Sequence, residues 1–191
     1  NAVQNEHAQY QREISLETVI KERQKAHKPL GLYDFAPVSD GATALILASA
    51  DIAKKHADKM VCVTGSASAT DYVTYPARED RTGFVASNMA MKKATKLADV
   101  KANDIQIAEV YDQSTFLEMT SLEDLGFAKR GTAWQSVAES LKGKSGYYVL
   151  NGKELYLNTD GGLKADGNPL GATGGAQIYE VVKQLKGEAG S

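Results

Sequence analysis

The chain has 191 residues, 42% of them hydrophobic, which suits one sizeable domain or two small ones and excludes wholesale disorder. A formal net charge of -2, with Lys and Arg scattered among acids, argues against a nucleic-acid footprint, which needs a concentrated basic surface. The lone Cys62 excludes an intramolecular disulfide and a cysteine-rich metal cluster and fits a reducing compartment, so the cytoplasm is expected.

No apolar run nears the roughly 18 residues of a membrane span, and no signal-peptide pattern opens the chain, so no membrane association is expected. The chain starts on Asn1 and not on Met, which points to a cut or a processing site. Residues 1–14 are polar without a clear period. Ser15 is placed to cap a helix over about 16–27, with Leu16, Val19 and Ile20 on one face, closed by Pro29 and Gly31. Residues 32–41 read as an irregular connection with a turn at Asp40-Gly41. Residues 42–48 are nearly all apolar and suit a strand buried on both faces, and Ser49 is placed to cap a helix to about Ala57.

Residues 61–65 read as a second strand and 66–83 as a long loop rich in Ser, Thr and Asp. Met89, Met91, Ala94 and Leu97 give a helical stripe over about 85–98, and 104–110 reads as another strand. Strand, helix, strand in that order predicts a parallel βαβ unit. Residues 111–116, Tyr-Asp-Gln-Ser-Thr-Phe, lie at the end of the last strand, where α/β sheets place chemistry. A helix with Phe116, Met119, Leu122 and Leu125 follows to Gly126, and 132–141 reads as a further helix carrying Trp134, Val137 and Leu141. Residues 147–150 and 153–157 flank Asn151-Gly152, a hairpin signal for a type I′ turn. The last helix is expected over about 174–185, with Ile178, Val181, Val182 and Leu185 facing inward.

The hairpin leads into residues 158–177, where five glycines lie between Gly161 and Gly174, directly before that helix. Glycine admits positive φ and lets a ligand approach bare backbone, and a helix N-terminus favours negative charge. The spacing of Gly167, Gly171 and Gly174 does not match the dinucleotide fingerprint and no P-loop lysine follows, so a purely structural turn is the bland alternative. Tyr111, Asp112 and Gln113 are either polar groups converging on a pocket or residues that close a strand. Cys62, inside an apolar run, reads as a small buried hydrophobe. His7, His27 and His56 lack partners at metal-ligand spacing, so they read as solvated and no metal site is expected. Met89 and Met91 read as core, and Lys92, Lys93, Lys183 and Lys186 as solvated helix faces.

Asn158-Thr-Asp-Gly-Gly-Leu-Lys-Ala-Asp-Gly-Asn-Pro-Leu-Gly-Ala-Thr-Gly174 resembles the Asn-x-x-Gly-Gly-Leu-x-x-x-Gly-His-Pro-Leu-Gly-Ala-Thr-Gly segment of thiolases, in the branch of sterol-carrier-protein-type and archaeal acetyl-CoA acetyltransferases. Val110-Tyr-Asp-Gln-Ser-Thr-Phe116 with Leu122-Glu-Asp-Leu-Gly126 resembles that branch's His-Asp-Cys-Phe segment and the helix after it. Ala36-Pro-Val-Ser-Asp-Gly-Ala-Thr-Ala44 and Arg12-Glu-Ile-Ser-Leu-Glu17 are similar to upstream family segments in the same order.

The resemblance implies an α/β, thiolase-like layered fold with a mixed sheet and helices on both faces, one half of a five-layer αβαβα subunit. Residues 1–58 would be the end of the first half and its loop region, and 59–191 the carboxyl-terminal domain. It implies acyltransferase chemistry in lipid metabolism on a coenzyme A thioester, with no covalently bound cofactor. It also implies a homodimer, sometimes with a small zinc-ribbon and OB-fold partner. Asn168 stands where the family has histidine, and Tyr111-Asp112-Gln113 where it has His-Asp-Cys. Asn168 still donates a hydrogen bond to an oxyanion but exchanges no proton near neutral pH, and Gln113 is neither acid nor base. A missing acid-base group costs about 10²- to 10⁴-fold in rate. On this reading Tyr111 and Asn168 are the catalytic candidates, with Asp112, Gln113, Gly171, Thr173 and Gly174 binding substrate. Tyr111 is also similar to a tyrosine replacement in thiolase-like aldolases, which leaves an aldolase or a non-catalytic CoA- or partner-binding subunit as alternatives.

Overall fold

The computed structural model describes residues 2–25, 29–143, 147–150 and 152–190. Helix α1 (Leu16–Lys25) starts as expected, with the Ser15 hydroxyl accepting the Thr18 amide at 3.2 Å. Its Arg23 forks onto the buried carboxylate of Asp34, which also accepts the Gly31 amide at 2.7 Å and the Thr115 hydroxyl at 3.0 Å. The Arg23 guanidinium, helped by these donors, holds the Asp34 carboxyl down to about 2.

Residues 42–48 and 61–65 are not strands. A strand is made by a ladder to a neighbour, and among the described residues neither run has one. Neither run is buried as expected: in the first Ile46 is 97% and Leu47 83% exposed, and in the second Cys62 is exposed. The expected βαβ unit through 61–65 is overturned with them. Helix α2 (Ala50–His56) follows Ser49, whose side chain makes no cap hydrogen bond.

Helix α3 (Val85–Ala98) covers the expected span and ends on Asp99 in the left-handed region. Met91 packs against the core, whereas Met89 is exposed, so only half of that expected pair is interior. Strand β1 is only Ile107–Ala108, shorter than expected, because the chain just before it turns as a 3-10 helix over Ala102–Asp104. Helix α4 (Thr115–Asp124) is capped by the Ser114 hydroxyl on the Leu117 amide, and α5 (Ala133–Gly143) by the Glu123 carboxylate on the Ala133 amide at 3.1 Å.

Strands β2 (Tyr148–Leu150) and β3 (Lys153–Leu157) form the expected antiparallel hairpin. Asn151 of its turn, His27 and the Leu141 side chain lie outside the described residues, while Gly152 has the positive φ that the turn requires. The sheet order is β1-β3-β2, with β1 parallel to β3, pairing Ile107 with Tyr156 and Ala108 with Leu157. This mixed sheet and helices α3 to α5 bury Val110, Leu122, Phe127, Ala133, Leu150, Leu155 and Leu157. The glycine-rich stretch folds into a short helix α6 (Gly162–Asp166), a turn at Leu170–Ala172 and helix α7 (Thr173–Lys186). Ile178 and Leu185 of α7, like Leu16 and Ile20 of α1, Phe116 and Trp134, are exposed and not inward, because nothing among the described residues covers those faces. His7 and His56 are exposed, as expected.

Candidate active site at the strand end and the glycine-rich loop

The chain leaves β1 at Ala108, and the next residues are stitched to the loop that leaves β3. The Asn158 amide, at φ +44°, accepts the Val110 N–H at 2.9 Å and donates to the Val110 carbonyl at 3.3 Å, extending the ladder by a side chain. Asp112 accepts the Leu163 amide at 3.0 Å. Asn168 donates from Nδ2 to the Tyr111 hydroxyl oxygen at 2.9 Å. Tyr111, Asp112 and Asn168 are therefore brought together, although nearly fifty residues or more of chain separate the two segments.

Residues 35–39 thread between these segments as a strap. Ala36 N–H donates to the Gln113 carbonyl at 2.8 Å, Asn168 N–H to Pro37 at 2.8 Å, and Ser39 N–H to the Asn168 carbonyl at 3.2 Å. Gln113 thus enters through its backbone. Gly162 sits at φ +62° with a would-be Cβ only 2.1 Å from the Asp112 carboxylate, so glycine is required there twice over. Gly171 and Gly174 are the opposite case: a Cβ on either would meet nothing within 4 Å, which leaves their backbone open to a ligand. Asn168 is 1% and Thr173 2% exposed, whereas Tyr111 is 37% exposed and is the member of the group that reaches solvent.

Against these segments lies a cavity of about 150 Å³ lined by Glu109, Asp112, Asp160, Asp166 and Thr173. Burial, then the charge of Asp160, pushes the Glu109 carboxyl up to about 8. Burial and the neighbouring Asp160 likewise push Asp166 up to about 8, and burial raises Asp112. The Gln184 amide meets Glu109 at 3.0 Å. Sequence reasoning missed Glu109, Asp160 and Asp166, because acids scattered over three segments carry no spacing signal. Among the described residues no group of three His, Cys, Asp or Glu could hold a metal, and no helix is long and apolar enough to cross a membrane.

A mixed sheet with flanking helices, and a glycine-rich loop stitched to a strand end carrying Tyr111-Asp112, define a thiolase-type domain. A family model described as "Thiolase C-terminal domain-like" matches residues 67–191, and the chain belongs to that family. It is 38% identical over 190 residues to the "Acetyl-CoA acetyltransferase" of Methanothermobacter thermautotrophicus, covering 100% of this chain and 48% of that protein. It is 32% identical over 197 residues to "Sterol carrier protein 2" of Homo sapiens, covering 100% of this chain and 34% of that protein. The solved structure of an "Ltp2-ChsH2(DUF35) aldolase" superposes with a TM-score of 0.81 at 27% identity, over 98% of this chain and 48% of that one. The chain thus spans about half the length of the archaeal relative or less. The thiolase-like α/β fold expected from the sequence holds.

Proposed function

We propose that this chain is the carboxyl-terminal half of a thiolase-like protein that takes an acyl-CoA and makes or breaks a carbon-carbon bond, with Tyr111 as its proton-transfer group. In that reading residues 1–58 close a first half, 59–191 form the second, and the two complete a five-layer subunit. The observation that carries it is Tyr111, 37% exposed, whose hydroxyl is held by Asn168, the side chain that also takes Leu170 and Thr173, the chain neighbours of the bare Gly171 and Gly174. A phenol in contact with a donor is a competent general acid or base in such a step. The amides around Gly171 and Gly174, at the start of α7, would take the thioester oxygen, and Asn168 would act from behind Tyr111. Asp112 would hold the loop in place, and Gln113 would border the acyl group.

The identity to acetyl-CoA acetyltransferases favours acetoacetyl-CoA as the first substrate to try. In the full-length protein, Tyr111→Phe is expected to slow its CoA-dependent cleavage by about 10²-fold or more, measured as steady-state turnover. Undiminished activity in that variant removes Tyr111 from the mechanism.

A retro-aldol reaction is the second reading, favoured by Tyr111 itself and by the aldolase among the solved structures that superpose. It differs by releasing a carbonyl fragment from a 3-hydroxyacyl-CoA without consuming free CoA. That aldolase is named for two components, Ltp2 and ChsH2, whereas a homodimer or a small zinc-ribbon and OB-fold partner is proposed for this chain on the resemblance alone. Heat on titrating CoA, with no turnover of either thioester, would favour a non-catalytic subunit. The cytoplasm is the proposed location.

A further inference from the structure

We propose that Thr173 is a positioning residue for Tyr111, acting through the side-chain amide of Asn168. The proposal rests on Tyr111 being the proton-transfer group. The Leu170 amide nitrogen lies 3.2 Å from Asn168 Oδ1. A backbone N–H only donates, so the atom facing it must be the amide oxygen, and the orientation of the Asn168 side chain is settled by chemistry. Thr173 Oγ1 lies 3.0 Å from the same oxygen and must also donate to it. Two donors on one face of the amide turn Nδ2 to the other face, where it meets the Tyr111 oxygen at 2.9 Å.

An amide nitrogen accepts nothing, so the Tyr111 oxygen is the acceptor and its own proton is turned away from Asn168. The open side of Tyr111 is where that proton goes. Neutral Tyr111 is thereby set as a donor, to a thioester carbonyl oxygen or to the enolate left when a carbon-carbon bond breaks. A flipped Asn168 would do the reverse: its oxygen would face Tyr111 and capture the phenolic proton inward. The Leu170 amide alone opposes that flip once the Thr173 hydroxyl is gone. Leu170 stands at φ +51°, a position a leucine rarely takes, and its bond to Asn168 fits a locally constrained turn. Thr173 and Asn168 are both enclosed, whereas Tyr111 reaches solvent.

The experiment compares Thr173→Val and Thr173→Ser in the full-length protein, each also in a Tyr111→Phe background, with acetoacetyl-CoA as the probe. Thr173→Val is expected to lower kcat about 10-fold with KM within about twofold, and Thr173→Ser to recover most of the loss. In the Tyr111→Phe background Thr173→Val is expected to cost nothing further, because the residue it positions is gone. An equal loss in both backgrounds, or no loss in either, overturns the proposal. Full activity in Tyr111→Phe alone instead removes the proton-transfer reading and leaves the positional claim to a second measurement. That measurement is ¹⁹F NMR of protein carrying 3-fluorotyrosine, with Tyr111 assigned through Tyr111→Phe. Its resonance is expected to move in Thr173→Val and to stay in Thr173→Ser, whether or not any thioester is turned over. A resonance that does not move in Thr173→Val overturns the positional claim.

Discussion

At the scale of single residues, the site depends on two kinds of glycine. Gly171 and Gly174 border open space, whereas Gly162 is hemmed in by the Asp112 carboxylate. Gly162→Ala would place a methyl at 2.1 Å from that carboxylate oxygen, and at a positive φ, so Asp112 would have to leave the Leu163 amide. The expected cost is about 2–4 kcal/mol of stability, read from urea denaturation, with Gly171→Ala within about 1 kcal/mol of the parent. Equal effects at the two positions would mean that the crowding at Gly162 relaxes freely. Much of this was legible beforehand: the glycine run and Tyr111 were singled out from the sequence. The role of Thr173 was not, since an acceptor, a donor and their directions become visible only once Leu170, Asn168 and Tyr111 share a space.

At the scale of elements, helices were legible and two strands were not. The stripe of Met91 and Ala94 and the cap at Ser15 are local signals, and helices α1 to α5 and α7 lie close to where the sequence puts them. Residues 42–48 and 61–65 have strand-like composition, but a strand exists only through a neighbour, which composition does not supply. The consequence is a run with Ile46 and Leu47 in water and, among the described residues, no ladder partner for its backbone, a template for edge-to-edge association. Ile46→Lys with Leu47→Lys is expected to reduce aggregation of the 191-residue chain several-fold, followed by light scattering, with the far-UV circular dichroism unchanged. Unaltered scattering would place the sticky surface elsewhere, for example on the exposed apolar faces of α1 or α7.

At the scale of the whole molecule, the carboxyl cluster around the cavity sets a pH dependence opposite to that of Asp34. Glu109 and Asp166 titrate at about 8 when folded, against ordinary values near 4. Between those limits the folded chain holds more protons than the unfolded one, so stability falls as pH rises from about 5 to 8. Asp34, held down to about 2, stabilises the fold fully above about pH 4, and that stabilisation is lost as pH falls from about 4 to 2. Glu109→Gln should therefore flatten the alkaline fall and gain about 1–2 kcal/mol at pH 8.5 relative to the parent, measured by chemical denaturation across pH. The full shift would imply more, but Glu109 is only half-buried and solvent moderates the effect. A parallel pH profile in the variant would show that Glu109 is already ionised in the folded protein.

Val110, Tyr111 and Asp112 are consecutive, and each is fastened to a different point of one loop: Asn158, Asn168 and Leu163. Such a seam behaves mechanically as a lacing and not as a hinge. To lift the loop from the strand end, three sets of hydrogen bonds must part together, each contributing about 0.5–1.5 kcal/mol. A ligand that presses on the bare glycine backbone is therefore expected to displace Tyr111 with it, keeping the distance from that backbone to the phenolic oxygen the same in the empty and occupied protein.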